Sequence, residues 1–129
     1  MRRTVLWAID EGFPPVAAER IGRADVEFDS RYPARASLVN ITRHFAPWAW
    51  AWSRHYFWAA TRARNLELLG YALHCAQDAV SHGTVGERHL VYLAGLGRQP
   101  DYWERAPLGI QRRIEAVTRQ RLRRYARRV

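Results

Sequence analysis

The stretch 66–83, LELLGYALHCAQDAVSHG, constrains the chain more than any other. Leu66, Leu69, Leu73, Ala76 and Val80 recur at helical spacing, so the segment reads as a helix with one apolar stripe. The same helix carries His74, Asp78 and His82 at steps of four. At about 100° per residue, each such step turns only about 40° further round the axis. Three metal-capable side chains therefore rise on one face over about 12 Å. A single ion is too small to be reached by all three. The spacing predicts a neighbouring pair of ions, with His74 and Asp78 on the first, His82 on the second and the Asp78 carboxylate as bridge. Gly70, one turn before His74, reads as leaving that face open. The competing reading is ordinary pairing between helical neighbours four apart. Cys75 lies about 100° round from His74 and reads as a small apolar packing residue.

A chain of 129 residues is one domain, long enough to bury a core. No run approaches the roughly 20 apolar residues that span a bilayer. The N-terminal MRRTVLWAIDEG meets Asp10 and Glu11 before an export signal can develop. The single cysteine excludes an internal disulfide and fits a reducing interior, so a cytoplasmic protein is expected. All 21 basic residues are arginine, and they are unevenly placed. Residues 107–129 hold eight arginines against Glu115, whereas residues 1–106 nearly balance thirteen arginines with eleven acids.

Ahead of the metal-capable helix, Val5 to Ile9 forms a short apolar piece, either a strand or a helix start. Pro14 and Pro15 suit the start of a helix continuing through Val16 to Arg23. Residues 24–37, ADVEFDSRYPARAS, are acidic and broken by Pro33, which predicts Asp25, Glu27 and Asp29 on a loop before a helix beginning near Ser37. In residues 43–58, RHFAPWAWAWSRHYFW, Pro47 fits a first helical turn and Trp48, Trp52 and Tyr56 then recur every four residues. Most of these rings belong to a core. His55 reads as an ordinary packed or surface residue. Residues 84–96 predict a further short helix with Glu87 and His89 near its start, ended by Gly95, Gly97 and Pro100. The last helix runs from about Pro107 to the C-terminus, with Ile110, Ile114, Val117, Leu122 and Tyr125 as an imperfect inner stripe. No alternating strand pattern, Gly-rich phosphate loop or internal repeat occurs. The expected fold is all-α, a single bundle of about five helices over residues 1–129.

The run LGYALHCAQDAVSHG resembles the signature helix of the zinc-dependent phospholipase C and single-strand-specific zinc nuclease superfamily. Upstream, His44-Phe45 is similar to the family's His-Phe pair, with Asp29 fifteen residues before it. The resemblance covers roughly residues 25–90. It implies that His74 and Asp78 bind one ion, that Asp78 also bridges to a close neighbour, and that His82 binds a further ion. Two family features have no counterpart: no histidine precedes His44, and Leu93 stands where a later His-x3-Glu would place its glutamate.

Together these readings nominate Asp29, His44, His74, Asp78, His82 and His89 as metal ligands, with Glu87 as a further donor, and Asp78 and Asp29 as the catalytic pair. Two imidazoles and two carboxylates suit zinc, with manganese or iron as alternatives. Gln77 and Ser81 are candidates to orient the ligating imidazoles. The leading expectation is a metal-dependent phosphodiesterase acting on a phospholipid or a nucleic acid. Its arginine-rich tail would draw it to an anionic membrane or a nucleic acid. A non-catalytic metal-bound scaffold is the alternative, and nucleic-acid binding through the tail without metal is the third reading.

Overall fold

The computed structural model describes residues 2–86, 89–90, 93–94 and 106–129. Among them are six α-helices and no strand: α1 (Arg2–Asp10), α2 (Pro15–Arg31), α3 (Leu38–His44), α4 (Trp48–Ala63), α5 (Leu66–Ser81) and α6 (Leu108–Arg128), with a 3-10 turn at Ala34–Ala36 before α3. The expected all-α bundle is what the chain forms. No helix among the described residues is long and apolar enough to cross a membrane. Of the helix expected over 84–96, Glu87 and the terminating Gly95, Gly97 and Pro100 lie outside the described residues.

The apolar piece from Val5 to Ile9 is helical. Pro15 opens α2, as its fixed φ and missing N–H permit. The expected acidic loop is not formed: α2 continues to Arg31 and carries Asp25, Glu27 and Asp29 on helical backbone. Burial explains the difference. Ala18, Ile21, Ala24, Asp25 and Phe28 recur three and four apart and all face inward, so tertiary packing overrides the turn-prone composition. The helix stops where Pro33 steers Tyr32 out of the helical region, at ψ 63°.

α5 is the central element, packed against α2, α4 and α6. It is buried without interruption from Leu69 to Ala76, as a helix surrounded on all sides must be. Leu69 and Leu73 are wholly buried, each worth about 1.5–3 kcal/mol on leaving water. Gly70 does not leave its face open as expected, because α2 fills it. A Cβ there would lie 2.6 Å from both the Ala24 Cβ and the Ile21 carbonyl oxygen. Missing that one side chain, α2 and α5 approach backbone to backbone beside His74.

A tight turn joins α4 to α5. Arg64 ends α4 in the left-handed region (φ 50°, ψ 48°), and Asn65 caps α5 by accepting the Leu68 N–H at 3.0 Å. Of the ring-rich face of α4, Tyr56 and Phe57 are buried, Trp50 and Trp52 half-buried, and Trp48 and Trp58 exposed. His55 is exposed, one of the two settings expected for it. α6 turns Ile114, Thr118, Leu122 and Tyr125 inward, while Ile110 and Val117 are only half-buried. Phe28 is the hub of the core, its ring centroid 5.0–5.7 Å from those of Tyr32, Tyr71, His44 and Tyr56, and 4.9 Å from that of His74.

Candidate metal centre

Three helices bring together four residues the sequence nominated. α2 supplies Asp29, α3 supplies His44 and α5 supplies His74 and Asp78, with one donor atom from each lying within 4.8 Å of all the others. His44 Nδ1 is 2.6 Å from Asp78 Oδ2 and 3.6 Å from Asp29 Oδ1. His74 Nε2 is 2.9 Å from Asp78 Oδ2 and 3.1 Å from Asp29 Oδ1. Separations of this size suit donors gathered round one ion with bonds of about 2.0–2.2 Å.

The imidazoles are held from behind. His44 Nε2 lies 2.6 Å from the Tyr32 carbonyl oxygen, and His74 Nδ1 lies 2.6 Å from that of Asp25. A carbonyl only accepts, so each of these nitrogens carries the proton. The opposite nitrogen of each neutral ring then presents a lone pair to the two carboxylates. His74 Nε2 is buried and makes a hydrogen bond to neither of them. Two lone pairs and two carboxylates converging on one point, three of the four side chains out of water, repel one another unless a cation lies among them.

The titration behaviour points the same way. Burial pushes His74 down, but the Asp78 charge and the close carboxylates of Asp25 and Asp29 outweigh it, holding the imidazole well above its ordinary value. Burial pushes Asp78 up, but the charges of His74 and His82 and the close approach of the His44 ring outweigh that, holding the carboxyl well below its ordinary range. The cluster favours positive charge at its middle, whether proton or metal ion.

Behind His74 runs a buried polar chain of which sequence reasoning named only Gln77. Asp25 Oδ1 is 3.1 Å from His74 Nδ1, and its other oxygen accepts the Thr4 hydroxyl at 2.5 Å. Gln77 donates to Thr4 Oγ1 and Thr118 Oγ1 at 3.2 and 3.1 Å, tying α1, α2, α5 and α6 together. Gln77 therefore acts through Thr4 and Asp25 rather than on a ligand directly, and Ser81 takes no part. The inward repeat Ile21, Ala24, Asp25, Phe28 was the signal that placed Asp25 inside a helix.

The second expected ion gathers less. His82 Nε2 stands 3.3 Å from Asp78 Oδ1, the oxygen turned away from the four-residue cluster. His89 is wholly buried, packed edge-on against Phe45 at 4.7 Å and 6.1 Å from the His82 ring, with Nδ1 accepting the Gly86 N–H at 3.1 Å. Neither joins the cluster of four, and Glu87 lies outside the described residues.

Access comes from the Asp29 side. The Asp29 side chain is 68% exposed where those of His44, His74 and Asp78 are 3–13%. A pocket of about 200 Å³ reaches Asp29 and His74, with Arg3, Trp7 and Val26 among its walls. No protein family, curated protein or solved structure matches this chain.

Proposed function

We propose that this chain is a metal-dependent phosphodiesterase, with a divalent ion, zinc by its donor set, held by Asp29, His44, His74 and Asp78. The observation that carries the reading is the buried, unpartnered His74 Nε2 between two carboxylates, on a ring whose other nitrogen is committed to a carbonyl. When bound, such an ion supplies positive charge to a phosphoryl oxygen and acidifies a water.

The chain's own groups do the rest. The Tyr32 and Asp25 carbonyls fix both ring tautomers, so neither imidazole must reorient on ligand exchange. Phe28 packs on His44 and His74 and keeps water from beneath them. Asp78 stays ionised in its buried position. Asp29, facing solvent, takes the proton from a water arriving through the pocket, and Arg3 on the pocket wall draws the anionic substrate.

The test is elemental mass spectrometry of the purified chain beside Asp78→Ala, with hydrolysis of a nitrophenyl phosphodiester, a phospholipid and a single-stranded oligonucleotide. One zinc per chain is expected, lost in the variant, with hydrolysis of at least one substrate falling about 100-fold or more. No divalent metal even after incubation with zinc would overturn the reading. Metal without hydrolysis of any of the three would reduce it to a metal-bound helical scaffold.

A further inference from the structure

The arginines of α6 divide by what they meet. Arg119 and Arg123 reach the end of α1, where both bond Glu11. Arg121, Arg124 and Arg128 instead lean on the rings of α4. Arg121 donates from Nε to Ser53 Oγ at 2.9 Å and lies 5.5 Å from the Trp50 ring, fastening the two helices together. Further along, the Arg124 guanidinium lies 5.4 Å from the Phe57 ring, and that of Arg128 lies over Trp58 at 4.5 Å. Steps of three and four keep these arginines on one edge of α6.

α4 carries a matching stripe. Arg54, Trp58 and Arg62 stand four apart, so they share one face, and all three are exposed. Trp58 is 43% open to solvent even with Arg128 reaching it from α6. The seam thus presents an indole edged by cations from both helices. Arg54, Arg62, Arg124 and Arg128 are all exposed, so their charge is offered to solvent rather than consumed in a buried pair. α4 itself contains no acid.

A guanidinium fork matches the oxygens of a phosphate, and an exposed ring or guanidinium plane takes a stacked base. An anionic bilayer fits this surface less well. The apolar side of α6, Ile114, Leu122 and Tyr125, is buried in the bundle and cannot enter a headgroup layer. A duplex also fits less well, because its bases already stack on one another and leave no free face for Trp58.

We propose that the seam between α4 and α6 binds a single nucleic-acid strand, with phosphates on Arg54, Arg62, Arg124 and Arg128 and a base on Trp58. These two helices supply none of the four candidate metal donors, so the proposal does not rest on the metal centre.

Fluorescence anisotropy of a labelled oligothymidylate of about twelve nucleotides, titrated with the full chain at several salt concentrations, tests the seam. Log affinity is expected to fall against log salt with a slope of about −3, from four phosphates at about 0.7 each. The double variant R54Q/R62Q should bind about tenfold or more weakly and lose about half of that slope. Trp58→Ala should bind about tenfold more weakly with its slope intact, and Trp58→Phe, which keeps a ring, should recover most of the loss. Arg23→Gln, an exposed charge on α2, should stay within about twofold. Zinc content should be the same in every variant, which keeps a failure here apart from a failure at the metal centre. The proposal is overturned by absence of saturable binding, by unchanged affinity in R54Q/R62Q or in Trp58→Ala, or by an equal loss in Arg23→Gln. Tighter binding to the matching duplex, or binding to phosphatidylglycerol vesicles and not to the strand, overturns it as well.

Discussion

His74 has two supports behind its ring, the Asp25 carbonyl and the Asp25 carboxylate, and only the second can be removed by mutation. Asp25→Ala is expected to weaken zinc binding about tenfold, the scale on which outer partners of ligating histidines act. Competition with a chromophoric chelator measures this, and wild-type affinity in the variant would show that the carbonyl alone holds the ring. The residues legible in sequence were those one helix arranges by itself: four-residue spacing places His74, Asp78 and His82 on one face without knowledge of any neighbour. Asp29 and His44 came from a resemblance, since nothing local says that α2 and α3 fold back onto α5. Asp25 was misplaced on a loop because Pro33 and the surrounding acids outweighed an inward repeat visible in the same stretch.

Helix existence was legible from apolar spacing, and Pro15 marked where α2 begins. The interhelical distance was not, because it depends on an atom that position 70 lacks. Gly70→Ala sets a Cβ against the α2 backbone, 2.6 Å from the Ile21 carbonyl oxygen. Overpacking of this kind costs about 1–3 kcal/mol, and here α2 must move, taking Asp25 and Asp29 with it. Urea unfolding should show that loss together with weakened metal binding. Gly109→Ala, whose Cβ would meet nothing within 4 Å, is the control and should be neutral or slightly stabilising. Equal behaviour of the two variants would refute the close approach.

Across the whole molecule, the acidic end of α1 and the basic α6 are joined at Glu11, which Arg119 and Arg123 each contact at 2.8 Å. A hydrogen bond from Arg123, then one from Arg119, outweighs burial and holds the Glu11 carboxyl below its ordinary value. A carboxyl lowered on folding stabilises fully above its unfolded pKa, about 4.3, and that contribution is lost as pH falls through the folded value. Glu11→Gln should therefore cost about 1 kcal/mol near neutral pH, and its stability curve should meet that of the wild type in acid. Parallel curves down to pH 2 would remove Glu11 from the account. The bundle also treats its helices unequally. α3 has seven residues, leaves Leu38 and Val39 exposed, and buries only His44. Its other ties include hydrogen bonds from Trp52 to Thr42, from Arg43 to Tyr56 and from Asn40 to the Pro33 carbonyl, and the Arg43 guanidinium over the Tyr32 and Trp52 rings. A helix so short does not persist unaided, and the one fully buried side chain that fastens α3 to the body is itself a candidate donor of the centre. With an ion at the proposed centre, occupancy and anchorage would be one event for this segment, and whatever senses the seating of α3 would sense whether the ion is in place.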